Sequence, residues 1–79
     1  MTGSIVADLE VDAVGLLCPL PVLKARKRLQ QMQPGQVLRV LASDPAAVID
    51  IPHFCQQSGH CLMHSESTGA ATAYFIRCG

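Results

Sequence analysis

Cysteine is the residue type in this chain best suited to nucleophilic chemistry, and Cys18 has the most distinctive surroundings. It lies in the segment Cys18-Pro19-Leu20-Pro21, between a glycine turn at Gly15 and the start of a predicted helix. We expect Cys18 at or just before the helix start, with Pro19 at the first helical position. Free N–H groups and the dipole at that end favour an anion, so we predict a lowered thiol pKa and a reactive Cys18. The alternative is a small core cysteine that ends an apolar run.

The sequence around Cys18 narrows the possible chemistry. No histidine precedes His53 and the chain has no Cys-x-x-Cys pair, which disfavours a cysteine hydrolase and a thioredoxin-type dithiol. Pro19 and Pro21 remove amide donors only where a helix start leaves donors unpaired, and they fix the turn. A lone activated thiol on a rigid, exposed corner suits a carrier that accepts a group and hands it to another protein.

A second group of potential metal ligands comprises Cys55, His60, Cys61 and His64. We predict no metal site there, although zinc prefers these residue types. Cys55 belongs to an inner helical stripe, and Cys61 and His64 are an odd number of residues apart on a strand, so they should point to opposite faces. Cys78, next to last in the chain, is expected to be exposed and flexible, either as a bystander or as a second thiol in the same chemistry.

Length and composition limit the class of protein. The chain has 79 residues, of which 49% are apolar, and its 6 basic and 6 acidic residues give no net charge. These values predict one domain, ordered over about residues 5–78, and argue against a strongly basic nucleic-acid binder. No leader pattern is visible, and the apolar run 13–23 is too short and too broken by prolines to span a bilayer. We expect a cytoplasmic monomer with free thiols and no membrane contact.

Alternating and helical patterns predict the element order βαβαββ. The predicted strands cover residues 5–13, 37–42, 61–66 and 72–78. The first helix follows Cys18, and its core stripe is Val22, Ala25, Leu29 and Met32. The turn Gln33-Pro34-Gly35 ends it.

The second helix is expected to begin late. Asp44 should cap a short helical turn that starts at Pro45, and the helix proper should run from about Ile51 to Ser58, because proline suits a first turn and not an interior. Its inward residues would be Ile51, Phe54, Cys55 and Ser58, with Gly59 as the end. The fold class is therefore α+β, a two-layer α/β sandwich with two helices on one face of a four-stranded mixed sheet. The acidic outer face of the first strand suits a sheet with its other side in solvent.

Five blocks of sequence resemble the signature of the SirA/TusA family of small sulfur-relay proteins, and most closely its TusA branch. In chain order they are Gly15-Leu16-x-Cys18-Pro19-Leu20-Pro21, Gln33-Pro34-Gly35, Asp44-Pro45-Ala46, Asp50-Ile51-Pro52-x-Phe54-Cys55 and Ile76-Arg77. The resemblance covers about residues 9–79, and the co-linear blocks make it far more specific than a cysteine-proline motif alone. It implies a sandwich like the C-terminal domain of initiation factor 3.

The resemblance also implies a function. Cys18 matches the family's sulfur-carrying cysteine, which accepts sulfur as a persulfide from a donor such as a cysteine desulfurase. A downstream protein then accepts the sulfur, as in 2-thiouridine formation in tRNA or in sulfur oxidation, and no small-molecule cofactor is needed. Ile49 stands where the TusA branch often has a basic residue. The alternative is a non-catalytic regulatory or RNA-associated binding module in which Cys18 is structural.

Four of the six basic residues follow the cysteine closely, at Lys24, Arg26, Lys27 and Arg28. They are either a solvated helix face or a patch that steers an acidic partner to the thiol. The resemblance, in which this helix contacts the sulfur donor, favours Lys24, Arg26 and Lys27 as docking residues. Asp44 could also contact a partner, although its role as a cap is favoured. Direct nucleic-acid binding is not expected, since this helix carries no aromatic residue.

Overall fold

The predicted element order is found in the structure. A computed structural model describes residues 6–79, so Ile5, which the first predicted strand included, lies outside the described residues. The elements are β1 (Leu9–Ala13), α1 (Leu20–Leu29), β2 (Val37–Ala42), α2 (Ala47–Ser58), β3 (Cys61–Ser67) and β4 (Thr72–Arg77). No helix of residues 6–79 has the length and apolar character needed to cross a membrane.

The four strands form one mixed sheet in the order β1-β2-β4-β3. Strands β1 and β2 are parallel, and β4 is antiparallel to both of its neighbours. Parallel neighbours need a crossover, which α1 supplies between β1 and β2. Both helices pack on one face, so the predicted two-layer sandwich is confirmed.

Aliphatic side chains between the sheet and the helices form the main core. The predicted stripe of the first helix is present: Ala25, Leu29 and Met32 are buried and Val22 packs against them, although Met32 lies in the turn after α1. Leu38, Val40 and Ala42 face the helices from β2, and Ile76 does so from β4. Among residues 6–79 no polar or charged residue is buried, so the core contains no buried charge.

Helix α2 begins earlier than predicted. It starts at Ala47, so Pro52 lies inside it, and the expected start near Ile51 is wrong. Pro52 has no N–H for the carbonyl of Val48, but Val48 is 60% exposed, so water can replace the missing donor. Ile51 and Cys55 face the core as expected, whereas Ser58 is exposed and not inward. Gly59, with φ of 78°, ends the helix in the left-handed conformation that glycine adopts readily.

Strand β3 contains a bulge that changes which residues share a face. Leu62 pairs with Ile76 and His64 pairs with Phe75, so Met63 is an extra residue in the ladder. Cys61 pairs with Arg77, which lies on the same face of β4 as Phe75. The prediction that Cys61 and His64 point to opposite faces is therefore wrong.

The sheet face away from the helices is partly covered by its own side chains. Val37, Ala73 and Phe75 are buried in a second small cluster there. The Phe75 ring lies between the Arg39 guanidinium and the His64 ring, each 5.8 Å from its centre. The expected solvent-facing side therefore has a small apolar centre.

Candidate functional site

Cys18 lies in the loop between β1 and α1, with its side chain exposed. Pro19 is the N-cap of α1, and Leu20 is the first helical residue. Pro19 was expected at that first position, so the helix starts one residue later than predicted. Pro21 occupies the first turn, where its missing N–H costs no helical bond. The thiol therefore stands immediately outside the helix start, and the peptide bond between Cys18 and Pro19 is cis.

Two loops that follow parallel strands meet at this edge of the sheet and hold Cys18 in place. The backbone N–H of Gly15 donates to Oγ of Ser43 over 2.8 Å, and that of Cys18 donates to Oδ2 of Asp44 over 2.6 Å. The other Asp44 oxygen accepts from the N–H of Ala46 over 3.1 Å. Asp44 thus caps the turn before α2, as predicted. The same side chain also accepts a hydrogen bond from the loop that carries Cys18.

The electrostatic surroundings of Cys18 are the reverse of those predicted. A hydrogen bond to the Asp50 carboxylate raises the pKa of the Cys18 thiol, followed by desolvation and by the charges of Asp50 and Asp44. The predicted lowering of this pKa is therefore wrong. Two carboxylates disfavour a thiolate more than the nearby helix start favours it.

A shallow groove of about 230 Å³ runs between α1 and α2 and ends at the thiol. It is lined by Cys18, Pro19, Val22, Asp50, His53, Phe54 and Gln57. His53 is exposed on α2, and no local pattern in the sequence places it beside the cysteine. The signal was the spacing of Asp50, His53 and Gln57, which puts all three on one side of a helix.

The predicted docking residues fall on two sides of α1. Lys24, Lys27 and Arg28 line a second groove of about 290 Å³ against Val11 of β1, together with Gln31. The Lys24 ammonium also donates to the backbone carbonyl of Asp12 over 3.1 Å. Arg26 lies four residues after Val22, so it belongs to the side of α1 that faces the cysteine groove.

The remaining cysteines differ in access. Cys61 is exposed, whereas Cys55 is buried in the core, as predicted. Burial raises the pKa of the Cys55 thiol to about 11, with a smaller contribution from Cys61. Within residues 6–79 no cluster of three or more His, Cys, Asp or Glu side chains is arranged to hold a metal ion.

Cys78 is buried, so the expectation of an exposed, flexible thiol is wrong. Its sulfur lies 3.6 Å from the carbonyl oxygen of Leu29 and 3.8 Å from that of Met32, at the end of α1. Its backbone N–H donates to the carbonyl of Gln36 over 2.8 Å. The long-range packing of the chain end against the turn after α1 could not be read from local pattern. A thiol in this position has no access to Cys18 chemistry on the surface.

Known proteins resemble this chain in fold and in sequence. A crystal structure of a SirA-like protein from Desulfitobacterium hafniense matches with a TM-score of 0.79 and 25% identity, over 90% of this chain and 97% of that one. The fold is thus that of a SirA-like protein.

Sequence comparison gives the narrower assignment. The model of the family described as "Sulfurtransferase TusA" matches residues 9–78. The sulfur carrier protein TusA of Allochromatium vinosum is 47% identical over 70 residues, which cover 89% of this chain and 92% of that relative. The chain belongs to the TusA family.

Proposed function

We propose that this protein is a sulfur carrier that accepts sulfane sulfur as a persulfide on Cys18 and passes it to an acceptor protein. The observation that carries the proposal is the exposed Cys18 thiol, fixed outside the start of α1 within the segment that the TusA family model matches. The relative from Allochromatium vinosum is described as a sulfur carrier protein, which supports the same role here.

The chemistry is thiol exchange with one extra sulfur. The Cys18 sulfur attacks the outer sulfur of a donor persulfide and the donor leaves as a thiol. An acceptor thiol then attacks the outer sulfur on Cys18 and regenerates the carrier. Both steps need access from the surface and a proton acceptor for the attacking thiol, and neither needs a metal or an organic cofactor.

The basic groove on α1 supports a protein donor with an acidic surface. A cysteine desulfurase, or another protein persulfide, would supply the sulfur, and an acidic surface on that donor suits the groove of Lys24, Lys27 and Arg28. A reducing cytoplasm suits four free thiols. The acceptor pathway is tRNA thiolation, sulfur oxidation or another sulfur route. Ile49, 74% exposed beside Asp50, presents an apolar side chain where the TusA branch often has a basic one.

Mass spectrometry of the loaded protein tests the proposal. The protein is incubated with a cysteine desulfurase and cysteine, and separately with thiosulfate and with polysulfide, and the extra sulfur is mapped to peptides. We expect one reducible sulfur on the Cys18 peptide and none in Cys18→Ser. Cys61→Ser is the matched control, because it removes the other exposed thiol and should load normally.

Two other outcomes of this experiment would contradict the proposal. Absence of sulfur on Cys18 with every donor would reject the carrier function and favour a binding module in which the cysteine is structural. Sulfur on Cys61 that persists in Cys18→Ser would show that an ordinary exposed thiol explains the loading.

A further inference from the structure

The groove beside Cys18 contains one histidine. His53 is exposed on α2 and lines this groove together with Cys18 and Asp50. Asp50 and His53 are three residues apart, so they lie on one side of the helix. His53 therefore borders the open space next to the Cys18 thiol.

The carboxylates create a need for a proton acceptor. With its pKa raised by Asp50 and Asp44, the Cys18 thiol is protonated at neutral pH, and the thiol is the unreactive form. A carboxylate that binds the thiol hydrogen stabilises this form and is too weak a base to remove the proton. Histidine is the side chain that exchanges protons near neutral pH.

The groove offers few other candidates for this role. Asp50 and His53 come from α2, and Asp44 reaches the cysteine loop from the turn before α2. On the α1 side the groove is lined by Pro19 and Val22, neither of which titrates, and the basic Arg26 lies one turn beyond Val22 outside the lining. His53 is thus the one group lining the groove whose type suits proton removal at neutral pH.

We propose that His53 accepts the proton of the Cys18 thiol during sulfur transfer and returns it to the departing donor. The bond between Cys18 Sγ and the donor's outer sulfur forms while the donor's sulfur–sulfur bond breaks. The proton moves from Cys18 to His53 and then to the donor's leaving sulfur, so a thiol and a persulfide exchange identities with no net oxidation. This inference rests on the proposed carrier function and assigns one of its steps.

Thiol alkylation over a range of pH tests the proton transfer without any sulfur donor. The rate of iodoacetamide modification is measured on the Cys18 peptide for the wild type and His53→Gln, with the Cys61 peptide as an internal reference. We expect His53→Gln to lower the Cys18 rate by about tenfold near pH 7, because it loses the thiolate formed by proton transfer to His53, and to match the wild type at high pH, where the thiol ionises without His53. His64→Gln, on the far face of the sheet, should match the wild type throughout.

Chemical rescue separates loss of the base from a general disturbance of the groove. Added imidazole should partly restore the Cys18 alkylation rate of His53→Gly, because it supplies the missing proton acceptor. Coincident pH profiles for the wild type and His53→Gln, or no restoration of His53→Gly by imidazole, would overturn the proposal.

Sulfur loading completes the test. The initial rate from glutathione persulfide should fall in His53→Gln by about the same factor as alkylation. If wild-type Cys18 is alkylated through His53 but takes no sulfur from any donor, the carrier function is wrong and the proton transfer stands. If the wild type loads sulfur and His53→Gln loads it equally fast at every pH, only the role of His53 is wrong.

Discussion

The Asp50 carboxylate decides the resting state of the Cys18 thiol. Its hydrogen bond and charge, helped by Asp44, raise the thiol pKa against the influence of the helix start. A partner that brings a cation close to these carboxylates would offset them and release a more reactive thiol. The site therefore favours sulfur transfer within a docked complex over reaction with small thiol reagents in solution.

Removing the charge at Asp50 should make the isolated protein more reactive. In Asp50→Asn the amide can still accept a hydrogen bond, but the negative charge is gone, so the pKa of Cys18 falls. We expect alkylation of Cys18 near pH 7 to become about threefold to tenfold faster, since each pKa unit changes the thiolate fraction tenfold. Glu66→Gln, a loss of the same charge on the outer strand β3, serves as the control and should leave the rate unchanged. A slower Cys18 in Asp50→Asn would contradict this account of the site.

The sequence could place Cys18 but not its chemical environment. Gly15, Pro19 and Pro21 are local signals, and they predict a thiol at a helix start. Asp44 reaches Cys18 where the loops after β1 and β2 meet, and Asp50 approaches it from α2, so both influences depend on tertiary structure. Within the local sequence, the helix dipole was the only influence on the thiol pKa that could be recognised. The packing of α1 beside α2 also brings His53 into the cysteine groove.

At the scale of elements, α1 separates two grooves. The side facing α2 borders the cysteine groove, and the side facing β1 carries the basic groove. A donor with an acidic surface could bind the second side while its persulfide reaches around the helix start to the first.

Charge reversal in the basic groove should slow transfer from a protein donor only. We expect Lys27→Glu to reduce the rate of loading from a cysteine desulfurase by about threefold to tenfold at low salt, with less effect at high salt. Loading from glutathione persulfide should not change, because that donor needs no protein surface. Arg77→Glu is the matched control, an exposed basic residue at the end of β4. Equal losses in both variants would show that net charge, and not this groove, governs docking.

Elements were predicted well where one local rule acts alone. Strand β2 was predicted at Val37–Ala42, a short apolar run interrupted only by Arg39 between a turn and a loop. The start of α2 was missed because local propensity counts Pro52 as a helix breaker, whereas the neighbouring turn at Val48 is exposed to water and tolerates it. The bulge at Met63 follows from pairing with β4, which no local pattern of β3 encodes.

At the scale of the whole molecule, the core makes stability sensitive to alkaline pH through Cys55. Its ordinary pKa of 9.0 rises to about 11 in the folded protein, where the side chain is buried. Below pH 9 the thiol is neutral in both states and its full contribution is present. Above that pH the unfolded chain ionises first, so stability falls as the pH rises through the folded value.

Urea unfolding at two pH values measures this effect. We expect the free energy of unfolding to fall by about 2 kcal/mol between pH 8 and pH 10.5 on account of Cys55. Cys55→Ala removes the titrating group and should lose that part of the pH dependence, while other buried groups such as Tyr74 remain in both proteins. If the two proteins lose the same free energy over this range, Cys55 ionises in the folded state as readily as in the unfolded chain.

The carboxylates around Cys18 also affect how fast the thiol is oxidised between two sulfur transfers. Peroxide attacks the thiolate and hardly the thiol, and oxidation past the sulfenic acid destroys the sulfur atom as a carrier. A protonated Cys18 therefore resists oxidation as well as reacting slowly with sulfur donors. Peroxide should oxidise the Cys18 thiol faster in Asp50→Asn than in the wild type. Without these carboxylates, the exposure that sulfur transfer requires would leave Cys18 open to irreversible oxidation.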